Sequence, residues 1–597
     1  MFEFFYNVAM TDWLSIFFVI LIILITIPIL IYSVGYVKEF VQNYSLKYIY
    51  IMMILFILSM IGVVLSSNII VFMIFWEIMS ITSFFLVIYE YRNKENLDSG
   101  IMYFVMTHIS GLVLMIMFAL IFKYTNSFDF KEIINYADKL TINQKTIIFI
   151  LAIIGFGAKA GLMPLHAWLP KAHPAAPSNV SALMSGVMLK IAIYGFVRVA
   201  FMFLGDVPYS YGIALMIIGT VTAIICILNA AAQRNMKKLL AYSSAENIGL
   251  IFSVLGLAII FKSYNMPILA TLALTAGLFH TINHAIFKSL LFTAAGSVLY
   301  ATGTRNINEL GGLYKKMKFA TWCAFIGTAA ISAIPPLNGF ASEISIFMSF
   351  IQVVGRIDSI WMMVIILCGS ILALTSGAVM YAAVKSFGIT YLGEPRSSKA
   401  QQTHKIPISM NIGMGLLSVY AIVFGVLSKF IFEYIIKISQ SVMNTEKISF
   451  DRGTLQNFVG WDIIIMTSVI ISVTLVILLI DYIISRNKTS TIGNTWGCGF
   501  NEAKPFMQYS GSGFTQPLCK IAGSVVGYKK TVVKEGTILI RQKVADMVEK
   551  HFYIPIMKFV DYIATKIKII HYGKIQIYIA YIIISLIVAV IWVAKFI

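Results

Sequence analysis

The sequence predicts an all-α polytopic membrane protein, and two observations predict it. Apolar runs of about 20 residues recur from one end to the other, each long enough to cross roughly 30 Å of hydrocarbon as a helix. Only 12% of the 597 residues are charged while 59% are hydrophobic, with a mean hydropathy of +0.87. That is too little charge for a water-facing exterior. Barrel strands would be shorter and would alternate, so the spanning elements are helices.

In chain order the runs place about fourteen transmembrane helices. They cover 12–35, 46–67, 69–90, 101–123, 145–168, 177–204, 209–230, 240–261, 266–299, 318–354, 358–391, 408–436, 460–484 and 575–596. The first starts near Asp12 with no small-residue cleavage pattern after it, so no signal peptide is expected. The fifth contains Gly161 and Pro164, and the tenth contains Pro335-Pro336 and Gly339. Proline removes a backbone donor and clashes with the preceding turn, so both should be broken helices. A broken helix at membrane depth is tolerated where protein or water covers the freed backbone, as at transport sites.

Lys and Arg in the short loops set the orientation. Lys38 and Lys47, Arg92 and Lys94, Lys171, Arg234 with Lys237 and Lys238, Lys315 with Lys316 and Lys318, and Arg396 with Lys399 and Lys405 fall on one side. That side should be cytoplasmic, with both termini outside. The loop at 124–144 runs against the rule, but Asp129, Glu132 and Asp138 accompany its Lys131 and Lys139. The two broken spans lie five apart, and an odd spacing reverses direction. Two inverted five-helix repeats at 46–204 and 209–391 would produce this. An N-terminal helix at 1–45 precedes them, and two further helices within 392–484 follow.

Beyond these the pattern changes. Residues 485–529 are polar and glycine-rich and read as a cytoplasmic loop. Over 530–572, Val533, Val544, Val548, Phe552, Ile556, Val560, Ile563 and Ile567 recur mostly at intervals of three or four, with Lys and Arg on the other face. This predicts a lateral amphipathic helix, kinked at Pro555, before the final span within 575–597. The bland alternative is a surface anchor and nothing more. The formal net charge of +19 fits basic inner loops and this helix better than nucleic acid. Cys226, Cys323, Cys368, Cys498 and Cys519 share no CxxC spacing, so no iron–sulfur or zinc centre is expected in this chain, and no other cofactor.

A charged side chain near the bilayer centre costs on the order of 3 kcal/mol even on lenient insertion scales, so each one needs a reason. Glu77, Lys159, Lys190, Glu246, Glu343 and Lys385 all fall inside spans. His280, His284 and Lys288 recur at i, i+4 and i+8, which puts them on one helix face. Burial disfavours the charged form of an acid or an amine, and an acid–amine pair couples their titrations. Histidine can pass a proton between its two nitrogens. Interleaved along a bundle, these groups predict an ion pathway rather than a redox or hydrolytic site. Glu77 is expected to face Lys159. The alternative for any one of them is a structural ion pair or a satisfied core histidine, and His166 and His173, expected near the interface, lean that way. The set as a whole is a poor way to stabilise a fold.

WE at 76–77, GFGAKAGLMPLHAWLPKAHPAAPSNVSALMSGVMLKIAIYG at 155–195, MKKLLAYSSAENIG at 236–249 and HTINHAIFKSLLF at 280–292 resemble the antiporter-like subunits of respiratory complex I and the Mrp antiporters. The resemblance covers most of 1–430. ENIG at 246–249 and TWGCGF…MQYSGSGFTQPL at 495–518 narrow it to the large membrane subunit of group 4 NiFe hydrogenases, as in the hydrogenase-4, formate hydrogenlyase and Ech complexes. The resemblance implies a proton-pumping or sodium-pumping subunit of the inner membrane, itself non-catalytic, with redox centres in partner subunits. It implies Glu77 and Lys159 as a coupling pair, Lys190, His280 and His284 as a central axis, Glu343 leading to the outer face, and 530–572 bracing a neighbouring membrane subunit. Three departures stand out: two opening helices of many relatives are expected to be missing, Ser185 stands where some relatives carry histidine, and Glu246 replaces a neutral residue. The equivalent NADH–quinone oxidoreductase subunit, an Mrp-type antiporter and a non-conducting scaffold remain alternatives.

Overall fold

The computed structural model describes residues 12–445, 462–486, 504–535 and 537–568, with single positions at 579, 583, 584 and 586. The expected final span at 575–596, those positions apart, and Cys498 with the rest of 495–500 lie outside the described residues. The chain divides into two compact units, Met1–Val525 and Val526–Ile597.

Among the described residues of the first unit, twelve helices are long and apolar enough to cross a membrane. The chain opens with α1 (Trp13–Tyr36), α2 (Leu46–Leu65), α3 (Ile69–Val87) and α4 (Lys94–Thr125). Asp12, Ser45, Asn68 and Asn93 cap these four in turn, each accepting from a first-turn amide. The Asn93 cap starts α4 before the expected 101, because a capped polar first turn is still helix. α5 (Ile142–Ala160) opens on a capping box between Thr141 and Gln144. It stops at Gly161, whose φ of +91° a side chain would oppose. The expected single span 145–168 is therefore cut short, and a separate helix α6 (Leu169–Ala175) follows.

Next come α7 (Ser178–Phe203), α8 (Tyr209–Ala232), α9 (Met236–Ser263) and α10 (Pro267–Thr302). The tenth expected span is two pieces, α11 (Lys318–Ile331) and α12 (Asn338–Ile351), separated by Pro335-Pro336. Each has 14 residues, about 21 Å of helix, so neither crosses alone. α13 (Ser359–Tyr391), α14 (Ile408–Val426), α15 (Ser428–Met443), α16 (Asp462–Ser485) and α17 (Gly511–Ile521) complete the unit.

Burial sorts these helices. The apolar windows of α7 and α9 are wholly buried and that of α10 is 83% buried, whereas α16 is 6% buried. α8 and α9 touch backbone to backbone: a Cβ at Gly219 would lie 2.5 Å from the Gly249 carbonyl, and one at Gly212 2.5 Å from that of Gly256. The ionisable residues of α7, α9 and α10 thus sit on the innermost helices.

The second unit corrects the sequence. Residues 530–572 are not one amphipathic helix. Strands β1 (Lys529–Glu535) and β2 (Thr537–Lys543) pair antiparallel, Val533 opposite Leu539. A π-helical turn, Glu549–Tyr553, then leads into α18 (Ile554–Lys568). The β-branched Thr531, Val532, Val533, Thr537, Ile538 and Ile540 favour strand, a preference that the wider spacing of apolar residues obscured.

Candidate functional site

The site is built where α9, α10 and α12 meet. On α10, His280 and His284 stack with ring centroids 6.3 Å apart and planes 11° from parallel, one turn from each other as the i, i+4 spacing requires. On α9, the Asn247 amide donates to the Ser243 carbonyl at 2.9 Å and to a Glu246 carboxylate oxygen. With both donors used that way, its Oδ1 faces His280 Nε2 at 3.1 Å. The neutral ring therefore carries its hydrogen on Nε2. His280 Nδ1 meets Ser342 Oγ of α12 at 2.9 Å.

Ser342 makes this contact reversible. Its hydroxyl also reaches the carbonyls of Asn338 at 3.1 Å and Gly339 at 3.2 Å. Beside a neutral ring the hydroxyl donates to Nδ1; beside a protonated ring it accepts from Nδ1–H and turns its hydrogen to the main chain. Both charge states of His280 are accommodated by one rotor. Glu343 follows, and Ser376 of α13 donates to its Oε2 at 2.7 Å.

Lys288, two turns beyond His280, donates to Ser243 Oγ at 2.5 Å and to the Leu240 carbonyl at 3.3 Å. No ion pair within 4 Å joins it to Glu246 among the described residues, but its charge and that of Glu343 both act on that carboxyl. Lys190 of α7 donates to the Ser185 carbonyl at 2.5 Å, inside a π-helical stretch, Met184–Met188. Such bulges mark functional places in helices. The Ser185 hydroxyl pairs with Ser244 of α9 at 2.8 Å. Lys190 and Lys288 both act on His284, whose two ring nitrogens have no hydrogen-bond partner among the described residues. A buried imidazole in that position calls for water.

Glu77 and Lys159, expected to face each other, form no ion pair within 4 Å. Lys159 is fully buried and donates to Ser80 Oγ at 2.9 Å and Tyr103 Oη at 3.5 Å, below the Trp76 ring. Glu77 Oε2 instead lies 3.4 Å from Nε2 of His108 on α4. Residues 76 and 80 turn toward α5 while 77 turns toward α4, so one helix serves both groups on different faces. The carboxylate still acts on the ammonium electrostatically.

Lys385 also departs from the expected picture. Its ammonium donates to the Ala231 carbonyl at 2.7 Å, the Gln233 carbonyl at 2.5 Å and Thr515 Oγ1 at 3.0 Å. That caps the C-terminal end of α8 and ties it to α17, a structural placement. His166 and His173, expected near the interface, are fully buried. His173 stacks on Phe292 at 5.1 Å, with Lys237, Lys288 and Lys190 acting on it.

The sequence reading passed over His108, Asn247, Ser342 and Ser376. A histidine within span four was visible as a signal; hydroxyls and amides in apolar helices are too common to single out. Among the described residues no group of three or more His, Cys, Asp or Glu could hold a metal ion.

Residues 66–373 match the family described as NADH:quinone oxidoreductase/Mrp antiporter, transmembrane. The chain is 32% identical to hydrogenase-4 component B of Escherichia coli, over 98% of this chain and 88% of that protein. It is 31% identical to formate hydrogenlyase subunit 3 of the same organism, over 78% of this chain and 74% of that protein. Among solved structures it resembles a chain of the membrane-bound sulfane sulfur reductase, an archaeal respiratory membrane complex. There the TM-score is 0.77 at 23% identity, covering 96% of this chain and 88% of that one, a likeness of fold.

Proposed function

This chain belongs to the NADH:quinone oxidoreductase/Mrp antiporter membrane family, and from that premise we propose that it is the ion-translocating, antiporter-like subunit of a membrane-bound hydrogenase complex. The observation that carries the proposal is the buried string Lys288–Ser243–Asn247–His280–Ser342, flanked by Glu246 and Glu343, on the innermost helices. Imidazole and rotating hydroxyls suit a proton better than sodium, which needs a cage of oxygens.

The family alone also fits an NADH–quinone oxidoreductase subunit or an Mrp-type antiporter. The hydrogenase assignment is supported by a match that runs over 98% of the chain, and so through the segment that forms α17. In this reading electrons pass only through partner subunits, and this chain binds no redox cofactor. It lies in the inner membrane with both termini outside and its Lys/Arg-rich loops cytoplasmic. α2 to α13 carry the two inverted repeats, and their movement against each other couples distant redox chemistry to export.

The test is Lys159→Met, which keeps an apolar side chain of similar length and removes the amine. Ion export by the assembled complex in sealed vesicles should be lost. Unaltered export from an assembled variant would favour a non-conducting scaffold.

A further inference from the structure

We propose that His108 is the proton-exchanging partner of Glu77, a positioning residue that decides when the Glu77 carboxylate is charged beside Lys159. The proposal deepens the ion-translocation reading and rests on it.

The geometry points to His108 in three ways. Its Nδ1 lies 3.1 Å from the Phe104 carbonyl, one turn back along α4. A carbonyl only accepts, so Nδ1 keeps its hydrogen and the nitrogen that gains or loses a proton is Nε2. Nε2 is the atom that faces Glu77 Oε2, at 3.4 Å. Next, α4 makes room for the carboxylate: a Cβ at Gly111 would lie 2.3 Å from Glu77 Oε1. Glu77 is seated between His108 and this glycine. Third, the pair is reachable from the side of the bundle. His108 and Glu77 side chains are 30% and 21% exposed, and Glu77 lines a groove of about 720 Å³ whose other walls include Ile70, Ile74, Met115 and Phe122. An acid at the edge of an apolar groove is expensive unless it is used.

Among the described residues, the elements packed on α4 offer no competing partner at the ring. α3 presents Glu77. Lys159 of α5 is turned to Ser80 and to Tyr103 of α4 itself. α6 carries Lys171 and His173, the latter stacked on Phe292. The surface helix Phe130–Tyr136 carries Lys131 and Glu132, both exposed.

The step is a simple exchange. The Nε2–H bond of the imidazolium breaks and an Oε2–H bond forms, giving a neutral ring and a neutral acid with no other reactant. The present separation is about half an ångström longer than a charge-assisted hydrogen bond, so a small side-chain rotation precedes transfer. Once Glu77 is neutral its charge no longer acts on Lys159.

The test uses the intact complex in sealed vesicles. His108→Gln keeps a polar side chain that does not titrate, and export should fall on the order of a hundredfold with a changed pH profile. Gly111→Ala pushes the flexible Glu77 carboxylate aside and should change the same profile while leaving every ionisable group in the chain. Infrared difference spectra of the unmutated complex should show one carboxyl and one imidazole changing together, the carboxyl band being absent in Glu77→Gln. Unchanged export and pH profile in both variants, or a carboxyl that titrates without an imidazole, would overturn the assignment. If Lys159→Met stops export while His108→Gln does not, His108 alone is excluded; if neither does, the translocation reading fails first.

Discussion

Two buried lysines, Lys288 and Lys385, look alike in sequence and differ in what surrounds them. Lys385 meets three acceptors: the Ala231 carbonyl in the last turn of α8, the Gln233 carbonyl just past its end, and Thr515 of α17. Each ammonium hydrogen has an acceptor, and the Thr515 hydroxyl is itself committed to the Gly511 carbonyl. Lys288 holds one hydroxyl, Ser243, and one distant carbonyl, with the Glu246 carboxyl in electrostatic reach. Its neighbours can rotate or titrate. Burial of a charge in a membrane helix therefore does not identify a transport residue. Fixed carbonyl dipoles make a clamp, whereas hydroxyls, imidazoles and acids make a path.

The comparison can be broken first at Lys288. Lys288→Met should lower ion export on the order of a hundredfold, as expected for loss of a positioned proton-exchanging group, with assembly intact. Vesicle export normalised to assembled complex measures it. Lys385→Met should do the reverse. It strands one buried and one half-buried carbonyl and costs about 3 kcal/mol of stability. Thermal unfolding and limited proteolysis within 504–521 should report it, while export per assembled complex stays near normal. Equal loss of export without loss of stability in both variants would erase the distinction between clamp and path.

A smaller effect sharpens the clamp. Around α17, Asn308 exchanges two hydrogen bonds with Ser512, and Gln508 pairs with the backbone of Glu394. Nearby Glu309 accepts from Thr304 at 2.8 Å and Asn306 at 2.9 Å, and those bonds hold its carboxyl below the usual range despite partial burial. A group whose folded pKa is depressed adds stability above its unfolded value near 4.5 and loses it as pH falls through the folded value. Protection of 504–521 from protease should weaken slightly on acidification below that range, and Glu309→Gln should flatten the dependence.

How much was legible follows the same division. Apolar length placed the spanning helices, and Gly161 and the Pro335-Pro336 pair located both breaks, because those signals are local. The i, i+4, i+8 spacing put His280, His284 and Lys288 on one face, which helix geometry guarantees. Partners across helices were not legible. Glu77 turned to His108 and Lys385 to a helix end, since which face of a buried helix meets which neighbour depends on packing that spacing does not encode. The hairpin at 529–543 was missed because only Val533 within it was fitted to the helical period, and the long gap to Val544 hid a change of element.

The central claim is that the string through His280 carries the ion, and His280→Gln tests it most directly. Glutamine can still bond to Asn247 and Ser342, so α9, α10 and α12 should stay joined, but it cannot accept and release a proton. In sealed vesicles the assembled variant should transfer electrons while exporting on the order of a hundredfold fewer ions per turnover. Export per turnover equal to that of the unmutated complex would contradict the account.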